Sequence, residues 1–313
     1  DHRDLHSFPT RRSSDLVDND FNIIHKESVP TGADRQDREI VRDMALLCQK
    51  MLADTNTSIS QVEWIGVGVP GTPDAKEGKV IYANNLNMRN TPVRAYMQED
   101  IPLPVYIEND ANCAALGESY AGVTKGIDHS VMITIGTGIG GGIIINKKIY
   151  SGSNYAGGEL GHTVIIMDGE QCTCGRKGCW EAYASANALK KQTAEAIINN
   201  PESKLSELVG HNIDNISGKT AFDAMRVGCP VGSQVVEQYI KYIAVGLINI
   251  INIFQPEVLV IGGGVSREGD YLLTPLKKIV AAEVYSRDVH QTEIRIAQLG
   301  NDAGIIGAAA LGF

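Results

Sequence analysis

Two hydrophobic periods run through the chain. Apolar residues at Ile40, Val41, Met44, Leu47, Cys48 and Met51 recur at three- and four-residue spacing, which predicts a helix over about 35–53. Ser233 to Phe254 reads as a long apolar helix and Asp302 to Leu311 as a helix of small residues. Further helices are predicted from Pro92 with Thr91 as N-cap, from just after Glu108-Asn-Asp-Ala-Asn112 to near Gly122, from Glu181 to Ile198, and after Gly262-Gly-Gly264. Between them lie short β-branched runs at Trp64–Val69, Pro104–Ile107, Ser130–Ile135, Val258–Ile261 and Ile294–Ile296, each read as a strand. Val17 to Pro30 alternates around a turn at Asp18-Asn19-Asp20, as half of a hairpin does. Asn84–Asn87 is expected as polar loop, and 199–218 as loop with a short helix. Strands alternating with helices give an α/β architecture. The first sixteen residues, DHRDLHSFPTRRSSDL, show no hydrophobic period and read as a disordered or non-native segment.

Composition narrows the class. At 313 residues there is room for two domains. Twenty-eight basic against thirty-seven acidic residues leave a net charge of −9, which argues against a nucleic-acid surface. The longest apolar run, Ile243 to Phe254, is broken by Gly246, Asn249 and Asn252 and is too short to span a bilayer. No stretch reads as a signal peptide. The six cysteines are clustered rather than spaced as a disulfide framework, which fits a reducing, cytoplasmic setting. Cys48, Cys113 and Cys229 read as small buried hydrophobes, and His129 and His211 as surface residues.

Candidate chemistry concentrates in a few stretches. His162, Cys172, Cys174 and Cys179 offer one imidazole and three thiolates, the ligands of a closed structural zinc site, with Gly175 and Gly178 curling the backbone. A disulfide within the group is the competing reading, and the compartment disfavours it. Glu159 and Glu181 flank the cluster as candidate acceptors for sugar hydroxyls. Gly136-Thr137-Gly138-Ile-Gly140-Gly141-Gly142 exposes successive N–H groups that could cradle phosphate oxygens, or forms a plain hairpin turn. Gly262-Gly263-Gly264 either admits a nucleotide to the backbone or lets helix and strand pack closely. Asp110, at a strand end and a helix start, could be an N-cap. With Glu108, Asn109 and Asn112 around it, a base that accepts a hydroxyl proton during phosphoryl transfer is the better reading.

Taken together, Val69-Pro-Gly71, Glu108-Asn-Asp-Ala-Asn-Cys-Ala-Ala-Leu-Gly-Glu118, Gly136–Gly142, Gly157-Gly-Glu-Leu-Gly-His162, Cys172-Thr-Cys-Gly-Arg-Lys-Gly-Cys179, Gly262-Gly-Gly-Val-Ser266 and Gly300-Asn-Asp-Ala-Gly304 resemble the ROK family of sugar kinases and repressors, nearest its bacterial glucokinases. The resemblance runs from about Val17 to the C-terminus. It implies the actin/hexokinase-like fold, with a small domain over 17–121 plus 302–313 and a large one over 122–301. It implies ATP-dependent phosphorylation of glucose at its 6-hydroxyl, with mannose, fructose or N-acetylmannosamine as alternatives and a sugar-sensing regulator as another. Asp110 becomes the base. Asn109, Asp110, Glu159, His162 and Glu181, with Gly71 and Asn85, become sugar ligands. Phosphates and Mg²⁺ would lie at Gly136–Gly141 and adenosine at Gly262–Gly264. Zn²⁺ would sit on His162, Cys172, Cys174 and Cys179, and the protein would be a homodimer. The family's Asp-x-Gly-Gly-Thr phosphate loop is not found in this sequence, and its loss is expected to depress turnover.

Overall fold

The computed structural model describes residues 11–83 and 86–313. The chain divides into two units. One comprises the chain through Gly126, Gly142–Gly158 and Gln298–Phe313, and the other Ile127–Gly141 and Glu159–Ala297.

The chain begins with an antiparallel pair, β1 (Arg11–Val17) and β2 (Ile23–Pro30). Their turn is tied by Asp18, whose Oδ1 accepts the N–H groups of Asp20 and Asn22. The segment expected to lack order is therefore a strand from Arg11 onward. Strand pairing satisfies backbone N–H and C=O groups whatever the side chains are, so a run without hydrophobic period can still pair. Helix α1 (Asp37–Asp54) follows, then β3 (Ile65–Val69). Three short strands come next: β4 (Thr72–Asp74), β5 (Lys79–Ala83) and β6 (Met88–Thr91) form an antiparallel sheet. Asn84 and Asn85 lie outside the described residues. Thr91 does not cap a helix. It ends β6, and its hydroxyl donates to Asp37 at 2.5 Å, while Pro92 takes the N-cap position of α2 (Val93–Asp100).

Strand β7 (Val105–Asn109) pairs parallel with β3 and runs directly into α3 (Asp110–Ala121). Strand β8 (Ser130–Ile135) precedes the glycine-rich turn, and the chain returns as β9 (Ile139–Ile145), which pairs with β10 (Lys148–Ile149). The helix expected over 181–198 is two helices, α4 (Glu181–Ala184) and α5 (Ala186–Asn199). Ser185 breaks it: its backbone is extended, and its side chain accepts the Ala188 N–H as a cap. Then come α6 (Lys204–Leu208), α7 (Thr220–Arg226), α8 (Pro230–Phe254), β11 (Val258–Gly262), α9 (Asp270–Glu283), β12 (Glu293–Ile296) and α10 (Ala303–Ala309). Pro230 opens α8 at a position where its missing N–H costs nothing.

In the first unit, Ile40, Val41, Val67, Met97, Val105 and Ile107 share one apolar core. Helices α3 and α10 meet through glycines. A Cβ on Gly307 would stand 1.7 Å from the Cys113 carbonyl oxygen, and one on Gly117 2.1 Å from that of Ala303. Gly307→Ala is therefore expected to destabilise the first unit by about 1–3 kcal/mol, because backbone must shift to admit one methyl group. Urea unfolding should show this as a lower midpoint. Glu118, on α3 and fully buried, accepts the N–H groups of Val123, Gln298 and Leu299 at 2.8–2.9 Å. Three donors offset the burial of its charge.

In the second unit β11 lies between β8 and β12, all parallel. Every residue of β11 is buried, as expected for a strand covered on both faces. Trp180 packs against Gly246 of α8 and donates its indole N–H to the Tyr242 carbonyl at 2.7 Å. Tyr239 donates its hydroxyl to Ala184 at 2.8 Å. Among the described residues no helix is long and apolar enough to cross a membrane.

Candidate functional site

The chemistry read from sequence falls into two groups, one in each unit. In the first unit it gathers at the β7–α3 junction. Asn109 has extended backbone, and its Oδ1 accepts the N–H groups of Ala111 and Asn112, so Asn109 is the N-cap. Asp110 is the first helical residue, exposed at the positive end of α3, and its Oδ1 also accepts the Ala111 N–H. The capping role that competed for Asp110 belongs to its neighbour. Asn109 also donates through Nδ2 to the Gly71 carbonyl at 2.9 Å. Gly71 has φ +93°, and a side chain there would strike the Tyr82 carbonyl, so only glycine brings that carbonyl to Asn109. Beneath them the buried Glu108 accepts the Asn109 N–H at 2.8 Å and the Asn112 side-chain amide at 3.0 Å. Gly71, Asn109 and Asp110 are thus brought together, and Asn85 is outside the described residues.

The second unit holds the histidine and cysteine cluster. The ligand atoms of His162, Cys172, Cys174 and Cys179 all lie within 4.8 Å of one another. Cys172 Sγ is 3.6 Å from His162 Nδ1, and Cys174 Sγ is 3.6 Å from Cys179 Sγ. Around a tetrahedral zinc with Zn–S bonds of about 2.3 Å, neighbouring sulfurs stand about 3.8 Å apart. The donor set and its spacing fit that ion. The six cysteines are all free thiols, which removes the disulfide reading. The fold of the loop is set by Gly178, at φ +79°, where a Cβ would meet the Ile166 carbonyl, and by Cys172 donating its N–H to Arg176. Burial, then the adjacent sulfurs, push the Cys179 thiol up to about 12. A hydrogen bond from the Arg176 backbone holds Cys174 below its ordinary value. A cluster with such unlike thiols keeps a proton unless a cation displaces it.

Glu181, the first residue of α4, ties this cluster to the glycine-rich turn. Its Oε1 lies 4.0 Å from Cys172 Sγ and accepts the Thr173 hydroxyl at 3.3 Å, while its Oε2 accepts the Ile139 N–H at 2.9 Å. A Cβ on Gly138 would stand 2.1 Å from Oε2, so that glycine makes room for the carboxylate. Glu159 is exposed, and its carbonyl accepts the His162 N–H. At the other end of the turn, Gly136 faces open space. Gly262 and Gly263 are there for close packing: Cβ atoms on them would meet Met132 and the Ile135 backbone of β8. Gly264, by contrast, faces open space. The close-packing reading therefore fits Gly262 and Gly263, and Gly264 has no such neighbour. Both turns follow the carboxyl ends of adjacent parallel strands, where α/β sheets bind ligands. Glu108, Glu118 and Thr173 had no assigned work in the sequence. Glu118 holds the N–H groups of Gln298 and Leu299, from a distant segment that no local spacing reveals, whereas Glu108 pairs with its neighbours Asn109 and Asn112 and Thr173 with Glu181.

Residues 10–312 match the ROK family. A glucokinase of Halalkalibacterium halodurans is 37% identical over 291 residues, 92% of this chain and 88% of that protein. A ROK family glucokinase of Streptomyces griseus, solved in complex with glucose and AMPPNP, superposes with a TM-score of 0.80 at 33% identity, covering 96% of each chain. A xylose repressor of Caldicellulosiruptor bescii is 30% identical over 88% of this chain and 69% of its own length. With matching motifs, matching fold and near-complete coverage, the chain belongs to the ROK family and has its actin/hexokinase-like ATPase fold.

Proposed function

We propose that the chain is an ATP-dependent sugar kinase that phosphorylates the 6-hydroxyl of a hexose, with glucose as the leading substrate. The observation that carries this is Asp110: an exposed carboxylate at a helix start, freed from capping by Asn109 and braced through Glu108 and Gly71. In the proposed reaction Asp110 accepts the 6-hydroxyl proton as that oxygen attacks the γ-phosphorus. The bond from the γ-phosphorus to the bridging oxygen breaks, ADP departs, and the proton passes from Asp110 to solvent. Asn109, Glu159, His162 and Glu181, with Gly71 and Asn85, are the proposed hexose ligands. Gly136–Gly141, with Thr137, and Gly262–Gly264 are the proposed nucleotide contacts. Mg²⁺ would arrive on the ATP phosphates, keeping much of its water. Zn²⁺ on His162 and the three cysteines would be structural, since four protein ligands leave no open position. The proposed assembly is a homodimer, which sedimentation would check.

The experiment is a coupled ADP assay over glucose, mannose, fructose and N-acetylmannosamine at fixed ATP. Hexose-dependent ADP release, fastest on glucose, is the expected result. Faster turnover on N-acetylmannosamine reassigns the substrate. The repressor relative supports one other reading, sugar sensing without turnover. Sugar-dependent thermal stabilisation with no ADP formed from any hexose selects it.

A further inference from the structure

In the second unit the glycine-rich turn is bracketed by two hydrogen bonds to the segment that leads into α5. The Gly136 carbonyl accepts the Ala186 N–H at 2.8 Å, and Ile139 donates its N–H to Glu181 Oε2 at 2.9 Å. Thr137 and Gly138 lie between those two points. The first bond joins backbone to backbone, so the fold itself fixes it. The second depends on one half-buried side chain, which has rotamer freedom to lose and stands where its other oxygen is held.

That other oxygen, Oε1, is met by two neighbours in the cysteine loop. The Thr173 hydroxyl donates to it at 3.3 Å, and the Cys172 thiol faces it at 4.0 Å. A metal separates the two. A cysteine ligates zinc as thiolate, so a zinc-bound Cys172 has no proton to donate. Thiolates from Cys172, Cys174 and Cys179 against one dication also leave net negative charge beside the carboxylate. Thr173 stands between Cys172 and Cys174 and outside the group of four ligands, so its donor survives. Of the two neighbours, it alone still offers Oε1 a proton.

We infer that Thr173 is a positioning residue: its hydroxyl fixes Glu181, Glu181 fixes the Ile139 end of the glycine-rich turn, and the order that zinc gives the cysteine loop reaches the turn along that path. Both ends take their work from the sugar-kinase reading, on which this rests: Glu181 as a hexose ligand and the turn as a phosphate contact. The hydroxyl-to-carboxylate bond is charge-assisted, hence stronger than a neutral one, and the exposure of Thr173 to water trims it. Its loss should therefore act by about threefold to tenfold, not by orders of magnitude. Coupling of this kind is reciprocal, so nucleotide on the turn tightens zinc by the factor by which zinc tightens nucleotide. The hexose, held by Glu181 directly, should respond more strongly than the nucleotide, which feels Thr173 only through Ile139.

The test compares the zinc-loaded full chain with Thr173→Val, which keeps the shape of the side chain, and Thr173→Ser, which keeps the hydroxyl. Amide exchange at Ile139 is followed by NMR with neither sugar nor nucleotide present. Thr173→Val should retain its zinc and exchange Ile139 about threefold to tenfold faster, while Thr173→Ser exchanges at the parent rate. Chelating the zinc should speed Ile139 exchange in the parent, and by less in Thr173→Val, where the path is already cut. Calorimetry should show AMPPNP bound more weakly by Thr173→Val than by the parent. Unchanged Ile139 exchange in Thr173→Val overturns the inference. So does a Thr173→Ser variant that fails to restore the parent rate, since the methyl group would then be the cause. Loss of zinc from Thr173→Val overturns it too, because the residue would only build the loop. So does AMPPNP binding that the parent shows and the substitution leaves unchanged. A parent that binds no AMPPNP and releases no ADP with any hexose, while the Thr173 hydroxyl still sets Ile139 exchange, strikes the kinase reading and upholds the path.

Discussion

Asp110→Asn is expected to lower turnover by on the order of 10²-fold or more while leaving hexose affinity nearly unchanged. Asparagine is isosteric, and its carbonyl oxygen can still accept the Ala111 N–H that Asp110 Oδ1 accepts now. The helix start is preserved in any case by Asn109, which makes two hydrogen bonds to the first turn. What disappears is a group able to take up a proton as the hydroxyl oxygen attacks. The measurement pairs the coupled ADP assay with calorimetric titration of glucose. A variant that turns over at the parent rate removes Asp110 from the reaction. A loss of glucose affinity that accounts for the whole drop in kcat/KM would make Asp110 a sugar ligand and nothing more.

The second large effect is expected at the thiolate cluster. Cys179→Ser should abolish stoichiometric zinc and loosen the segment from Glu159 to Glu181, weakening sugar binding before nucleotide binding. Structural zinc sites contribute about 10–16 kcal/mol of apparent binding free energy, so the loss of one ligand is not absorbed locally. Acid should mimic the mutation. The metal-free Cys179 thiol, raised to about 12, holds its proton through the neutral range, and zinc must displace it. Apparent zinc affinity should therefore fall with falling pH, up to tenfold per pH unit for each proton displaced, and recover as pH rises. Elemental analysis after dialysis at stepped pH measures this directly. A folded parent protein without zinc, or a Cys179→Ser variant that retains it, refutes the site.

How much of this was legible in the sequence depends on how local the cause is. The ligand set His162, Cys172, Cys174 and Cys179 was readable because thiols and imidazole in one glycine-rich segment have few other uses, and the structure gathers their donor atoms. The β7–α3 junction was readable because polar residues at the end of a buried strand are conspicuous. The cap is not legible in the sequence, since Asn109 and Asp110 are equally good capping residues and only backbone conformation chooses between them. The β4–β5–β6 sheet was not seen. Its strands are three to five residues long and carry proline, lysine and asparagine, so they have no period to read. Strand β1 was missed for the related reason that it is held by its pairing with β2. The break at Ser185 was hidden inside an unbroken helical pattern, where a serine that caps and a serine that tolerates look alike.

The pairing of α3 with α10 has a consequence for the order in which the molecule is made. Glycines at 117 and 307 and the carboxylate of Glu118 join segments almost two hundred residues apart. During synthesis, the first unit lacks that partner until the final helix has left the ribosome. The second unit, whose residues all lie between 127 and 297, is complete before then. The half that emerges first is thus the half that finishes last, because α10 is made after the last residue of the second unit.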